Sequence, residues 1–147
     1  ELRVLGGQNS EISVGPAGDG ELVVTDGGLA SAKSIFVGRD QTGSGQVRLE
    51  GEGSMLDARQ DNEGQVLIGV DFGDDGLVNS GEGIVSVGDG ATLRAGVAAG
   101  DGIRDIVVGP DDTLTVEDGG TVTGDVQVIG SGNFNLADGA IHNGEIL

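Results

Sequence analysis

The chain has 147 residues, of which 31 are glycine, and it contains no cysteine, tryptophan or tyrosine. Its 25 acidic and 7 basic residues give a formal net charge of −18, which argues against binding to nucleic acid or to anionic membranes. The lack of cysteine excludes a disulfide framework, a zinc knuckle and thiol catalysis, and no apolar run approaches the roughly 18 residues that a transmembrane helix needs.

One strand-and-turn pattern occurs five times along the chain. It has the form Gly-x-Φ-x-Φ-x-Asp-Gly-Gly/Ala, where Φ is aliphatic or Phe, and its copies lie at 20–28, 45–53, 83–91, 112–120 and 132–140. Asp112 replaces the opening glycine in the fourth copy, and Gly51 replaces the acidic residue in the second. The alternating Φ positions predict a strand with one apolar face, and the Asp-Gly and Gly-Gly pairs predict a tight turn after it.

A shorter aliphatic pattern that ends in glycine alternates with the first. It reads ISVG at 12–15, IFVG at 35–38, VLIG at 66–69, IVVG at 106–109 and QVIG at 127–130. Each copy predicts a short buried strand. The expected order along the chain is therefore a strand ending in glycine, a turn, a strand ending in Asp-Gly-Gly, a further short strand and another turn.

The repetition predicts how these strands assemble. A recurring unit of about 20–30 residues favours a solenoid of stacked parallel strands over a sandwich of hairpins, although hairpins would also use Asp-Gly turns. We therefore predict an all-β solenoid of about six or seven rungs, with equivalent residues in columns about 4.8 Å apart. The predicted columns are Leu22, Val47, Val85, Leu114 and Phe134; Val24, Leu49, Val87, Val116 and Leu136; and the pairs Ile12/Val14, Ile35/Val37, Val66/Ile68, Ile106/Val108 and Val126/Val128.

Two segments depart from the repeat. GLVNSG at 76–81 lies in the longest gap between copies and predicts an additional half-turn of the solenoid. SMLDARQDNE at 54–63 is polar and free of glycine, and we expect at most one short helical turn there. The whole chain, 1–147, is expected to form one domain. Because it begins at Glu1 without an initiator methionine or a signal peptide, we expect a mature or excised segment of a longer surface protein.

The repeat resembles a known bacterial family. ISVGPAGDGELVVTDGG at 12–28 followed by IFVGRDQTGSGQVRLEGEGSML at 35–56 is similar to the glycine-rich repeat associated with autotransporters (type V secretion) and PEP-CTERM proteins. The Gly-x-Gly-Ser-x-Leu element, here Gly51, Gly53, Ser54 and Leu56, is its most specific part. The resemblance is clear over about residues 10–70 and looser from 81 to 140. It implies a right-handed parallel β-helix in a secreted or cell-surface protein, and it carries no catalytic residue or cofactor.

One metal site is predicted, in the segment DFGDD. Its aspartates, Asp71, Asp74 and Asp75, supply oxygen ligands of the kind that Ca²⁺ takes, and weak binding is expected because neither the calcium-binding solenoid signature nor an EF-hand is present. No other cofactor is expected.

Catalytic readings of other polar residues are weaker. Acidic pairs such as Asp111–Asp112 could act as acid and base in a β-helix hydrolase. Adjacent residues on a strand point to opposite faces, however, and this pair lies beside Pro110, so a turn is expected. The single histidine, His142, is expected at the surface where a strand meets a turn.

These features together favour a non-catalytic extracellular scaffold, such as a cell-surface stalk, a passenger segment or a filament subunit. ELRVL at the start and GEIL at the end read as uncapped strands, so we expect end-to-end self-association, without nucleic-acid binding or membrane insertion. Two alternatives stay open. One is an adhesin that presents the irregular stretches 57–64, 70–82 and 96–104 to a host or matrix ligand. The other is a polysaccharide-degrading enzyme, which needs carboxylates converging on one groove.

Overall fold

The regular structure of this chain consists of β-strands. The computed structural model describes residues 2–3, 10–59, 64–73, 76–96 and 105–147. Among these residues there is no helix, and therefore none that is long and apolar enough to cross a membrane. Three parallel sheets contain all but two of the described strands.

The chain visits the three sheets in a fixed order. Sheet 1 contains β2 (Glu11–Val14), β5 (Ser34–Val37), β8 (Gln65–Ile68), β13 (Ile106–Val108) and β16 (Val126–Val128). Sheet 2 contains β3 (Asp19–Val24), β6 (Ser44–Leu49), β11 (Glu82–Val87), β14 (Thr113–Val116) and β17 (Asn133–Leu136). Sheet 3 contains β1 (Leu2–Arg3), β4 (Leu29–Ser31), β7 (Met55–Ala58), β12 (Thr92–Ala95), β15 (Thr121–Thr123) and β18 (Ile141–Asn143).

We number as repeats the five successions of one strand from each sheet. Repeat 1 is β2–β3–β4, repeat 2 is β5–β6–β7, repeat 3 is β8–β11–β12, repeat 4 is β13–β14–β15 and repeat 5 is β16–β17–β18. Within each sheet, every strand pairs in parallel with the equivalent strand of the next repeat. This arrangement is compatible with a β-helix or solenoid.

The register confirms the predicted columns in sheets 1 and 2. Leu22 pairs with Val47, Val47 with Val85, Val85 with Leu114, and Leu114 with Phe134. The column that begins at Val24 and the paired columns of sheet 1 follow in the same register. One-residue slippage would turn every apolar side chain to the other face, so burial of one face fixes this register.

Sheet 3 supplies a further inward column that the two sequence patterns do not specify residue by residue. Its members are Ala30, Leu56, Leu93 and Val122, all at most 1% exposed, followed by His142. Together with the columns of sheets 1 and 2 they form one continuous core. Full burial of an aliphatic side chain contributes about 1.5–3 kcal/mol, so these columns are the main source of stability.

The corner between sheets 1 and 2 requires glycine. Gly38, which follows β5, has φ +70°, and a Cβ at this residue would overlap the backbone carbonyl of Glu82 in the next repeat. Gly38 therefore lets the chain turn sharply while the next repeat lies directly against it.

One expectation for the irregular segments is wrong. Residues 76–81 do not add a half-turn, because β10 (Gly76–Asn79) pairs antiparallel with β9 (Val70–Gly73) as a hairpin inserted in repeat 3. Two residues between strands permit a hairpin, whereas parallel pairing needs a longer crossover. Within 54–63, where at most one short helical turn is expected, Met55–Ala58 form strand β7, which pairs with β4 and β12. Residues 60–63 lie outside the described part of the chain.

The outward face of sheet 1 is also apolar. Phe36, Leu67 and Val107 occupy one outward column, are at most 4% exposed, and form a second cluster with Val70 of β9. This burial on both faces explains why the short strands of sheet 1 read as continuous aliphatic runs rather than as alternating ones.

Candidate functional site: an acidic groove at a corner of the stack

A shallow groove of about 470 Å³ follows the corner between sheets 1 and 2 across repeats 2, 3 and 4. Its lining combines hydroxyl and amide side chains with three carboxylates. The polar lining residues are Gln41, Thr42, Ser44, Asn79, Ser80, Glu82, Asp111 and Asp112. Among the described residues that line the groove, the charged ones are all acidic.

Asp112 is the most unusual residue of this groove. Ile84 of repeat 3 pairs with Thr113 of repeat 4, so Asp112 occupies the position that corresponds to Gly83. Gly83 pairs with Gly45 of repeat 2. Asp112 precedes Leu114 by two residues, so its side chain lies on the inward face of β14, and it is 1% exposed. A carboxylate therefore occupies a column that glycine fills in the other repeats.

The two oxygens of the Asp112 carboxylate have different surroundings. Oδ1 accepts a hydrogen bond of 2.6 Å from the backbone N–H of Gly83. Oδ2 is buried against Gly69 and Gly109, where a Cβ on either glycine would overlap it, and it has no hydrogen-bond partner. An unpartnered buried carboxylate oxygen is costly, because the charge loses its hydration without a compensating contact.

The surroundings of Asp112 shift its protonation equilibrium toward the neutral carboxyl group. Burial raises the pKa of Asp112 from its ordinary 3.8 to about 6. The hydrogen bond from Gly83 acts in the opposite direction, while the negative charges of Glu82 and Asp111 raise the pKa further. Such a shift is typical of a functional carboxyl group, although ion networks in purely structural sites also produce one.

The neighbouring Asp111 confirms the predicted turn. It has φ +68° and an exposed side chain whose Oδ1 accepts a 2.7 Å hydrogen bond from Ser131 Oγ. Asp112 N–H bonds to the Gly109 carbonyl at 3.3 Å and closes the turn. The two carboxylates therefore differ in exposure, one at the surface and the other inside.

The predicted Ca²⁺ site is described only in part. Asp71 lies on β9, and its Oδ2 accepts a 3.0 Å hydrogen bond from Arg39 Nε, whereas Asp74 and Asp75 lie outside the described residues. The Arg39 guanidinium also pairs with Glu11 at 2.6 Å and lies 4.2 Å over the Phe36 ring. Within the described ranges, no group of three or more acidic or histidine side chains could hold a metal ion. Calcium binding at Asp71, Asp74 and Asp75 stays a prediction.

His142 is placed differently from the prediction of a surface position. It belongs to β18, follows Val122 in the inward column of sheet 3, and is partly buried. Its Nε2–H donates to the Gly124 carbonyl at 3.0 Å, and its ring packs edge-on against Phe134 with centroids 5.3 Å apart. The spacing of 20 residues from Val122, one repeat length, is the signal in the sequence that would have found this position.

Arg48 lies where the alternation predicts, on the outward face of sheet 2. Its Nε is 2.9 Å from a carboxylate oxygen of Glu50, and the arginine side chain is 44% exposed. The same alternation places Asp112 on the inward face, because it shares the phase of Leu114 and Val116, although the neighbouring Pro110 favours a turn there.

Comparison with known proteins gives one match of moderate similarity. The uncharacterized lipoprotein YdeK of Escherichia coli (strain K12) is 28% identical over 146 aligned positions, which cover 87% of this chain and 11% of that protein. No family model matches the chain, and no solved structure does. The similarity is therefore to a segment of a much longer protein.

Proposed function

We propose that the chain is a non-catalytic structural segment of a bacterial cell-envelope protein, folded as a right-handed parallel β-helix. The observation that carries the proposal is the continuity of the inward columns through all five repeats, because such a stack is a rigid rod whose length scales with repeat number. The right-handed sense follows the rule for parallel crossovers. Six rungs result if β1 is counted as an incomplete rung, and seven if the isolated bridge of Ile146 to Val126 is counted as well.

The envelope location is supported by the relative in Escherichia coli, which is named a lipoprotein. Protease treatment of intact cells that produce the full-length protein tests this location. Cleavage of the segment in intact cells is expected, and cleavage only after lysis would contradict surface exposure.

Removal of one whole repeat tests the scaffold role. Residues 106–125 span one repeat, since Ile106 pairs with Val126. Asp105 accepts from the Asp125 amide just as Asp125 accepts from the Glu145 amide, so Asp105 can replace Asp125 at the new junction. We expect the deletion variant to unfold cooperatively and to be shorter by one strand spacing, about 4.8 Å.

A deletion of half a repeat, 106–115, is the matched control. It removes strand residues and puts the following strands out of register, so repeat 5 should lose its ordered amide signals. If both deletions unfold the chain equally, the repeats are not interchangeable structural units and the rod model is wrong.

We further propose that copies of the chain associate end to end. β17 pairs with β14 on one side, and among the described strands nothing pairs with its other side. Leu136 on β17 is 44% exposed. Sedimentation velocity at about 0.3 M NaCl, where the charge repulsion is screened, should show concentration-dependent association. Leu136→Lys should abolish it, whereas Ile84→Lys, the same charge change on the outward face of β11, should not. A monomeric wild-type chain at all concentrations contradicts the proposal.

An adhesin is the second candidate function, and the inserted hairpin favours it. All four residues of β10 are exposed, with Leu77 at 38% and Val78 at 46%, and β10 has only β9 as a neighbour among the described strands. The double variant Leu77→Ser/Val78→Ser should reduce adhesion of cells that carry the full-length protein. Unchanged adhesion would contradict the adhesin proposal and leave the scaffold as the remaining function. Of the other two irregular stretches, residues 60–63 and 97–104 lie outside the described part of the chain.

A further inference from the structure

Asp112 connects two neighbouring repeats through a single hydrogen bond. Its carboxylate belongs to repeat 4 and accepts from the Gly83 amide of repeat 3 at 2.6 Å. The strand pairing of β11 with β14 begins only at the next residue pair, Ile84 with Thr113. The side chain of Asp112 therefore extends the ladder by one bond at the corner where the two repeats separate.

The same side chain lies between a closed and an open environment. On one side, Gly69 and Gly109 enclose Oδ2, which is the one described buried side-chain polar atom without a partner. On the other side is the acidic groove, which Asp112 itself lines and which has a volume of about 470 Å³. The groove is open to solvent and lies directly beside the carboxylate.

We propose that Asp112 is a proton-operated clasp between repeats 3 and 4, closed when its carboxyl group is neutral and open when it is ionised. In the closed state Oδ1 holds the Gly83 amide and the neutral group carries no uncompensated charge into the core. Loss of the proton to water leaves a carboxylate in the glycine column, which then moves to the groove and releases the Gly83 amide.

The two charged neighbours of Asp112 both raise its pKa. Glu82, at the start of β11, and Asp111, in the turn before β14, are both acidic. Gly69, Gly83 and Gly109, which also lie against the carboxylate, carry no charge. Because the pKa of Asp112 is raised to about 6, its contribution to the closed state is fully present below 3.8 and is lost as the pH rises through 6.

Amide hydrogen exchange of Gly83 measures the clasp directly. With a pKa of 3.8 in the open state and about 6 in the closed state, linkage gives an opening constant about tenfold larger at pH 7.5 than at pH 5. We expect the protection factor of Gly83, corrected for intrinsic exchange, to fall by about that factor. The Val47 amide, in the middle of β6, should keep its protection and so separates local opening from global unfolding.

Two variants separate the clasp from general charge repulsion. Asp112→Asn keeps an acceptor for the Gly83 amide without a titratable group, so the protection of Gly83 should no longer depend on pH. Glu82→Gln removes an exposed neighbouring charge and should keep most of the pH dependence, because burial is the largest cause of the raised pKa of Asp112. The proposal is overturned if Asp112→Asn keeps the wild-type pH dependence, or if Val47 loses protection together with Gly83.

A measurement on the unaltered chain covers the case in which Asp112→Asn does not fold. The ¹³C chemical shift of the Asp112 carboxyl carbon should titrate with a midpoint near 6. A midpoint near the ordinary 3.8 would show that the carboxylate is already hydrated at neutral pH, and the clasp would not exist.

Discussion

Gly69 and Asp112 fit together because the glycine leaves the space that the carboxylate fills. A Cβ at Gly69 would overlap the Asp112 side chain, and Gly69 also has φ +62°. At Gly130, with φ +58°, a Cβ would meet only Pro110, no closer than 3.4 Å. Two glycines with the same backbone conformation thus differ in what surrounds them.

We predict that Gly69→Ala destabilises the chain more than Gly130→Ala does. Both variants place alanine in the left-handed region, which costs about 1–2 kcal/mol, and only Gly69→Ala also displaces the carboxylate. In urea unfolding, the double variant Gly69→Ala/Asp112→Gly should regain the part of the free energy of unfolding that Gly69→Ala loses by displacing the carboxylate. Strict additivity of the two substitutions would show that the glycine and the carboxylate do not interact.

At the level of the elements, a one-residue insertion is absorbed in a single turn. Repeat 2 has five residues between Leu49 and Met55, whereas repeat 3 has four between Val87 and Thr92, yet both pairs of strands keep their register. The turn closes on Ser54, which is fully buried. Its Oγ donates to the Glu50 carbonyl at 2.7 Å and accepts from the Gly27 amide at 3.1 Å.

Ser54→Ala should destabilise the chain by about 1–3 kcal/mol, because it removes the two hydrogen bonds that the buried hydroxyl makes with the Gly27 amide and the Glu50 carbonyl. Ser13→Ala, an exposed serine on the outward face of β2, is the matched control and should change the free energy of unfolding by less than about 0.5 kcal/mol. Equal effects of the two substitutions would mean that the turn does not depend on this hydroxyl.

At the level of the whole molecule, charge repulsion opposes folding. The net charge is −18, and the ion pairs of Arg39, Arg48 and Arg59 lie in partly or fully exposed positions, where each contributes little. Stability therefore depends on ionic strength mainly through the unbalanced negative charge.

We expect NaCl between about 0.05 and 0.3 M to raise the melting temperature, because the screening length falls below about 10 Å in this range. A decrease would mean that the ion pairs outweigh the repulsion. Comparison with CaCl₂ at the same ionic strength tests the predicted calcium site, because a specific site at Asp71, Asp74 and Asp75 would add stabilisation beyond that of NaCl.

The sequence determines which residues face the core. Alternation in the five long copies places Leu22 and its equivalents in one column, and the glycine-terminated patterns place Ile12 and Val14 with theirs, because burial of one face permits only one register. The tertiary structure alone decides features that depend on residues distant in the sequence. Val70 of the inserted hairpin packs against the outward face of sheet 1, and the surroundings of Asp112 come from Gly69, Gly83 and Gly109. A buried charge acquires its pKa from such neighbours, and local patterning carries no information about them.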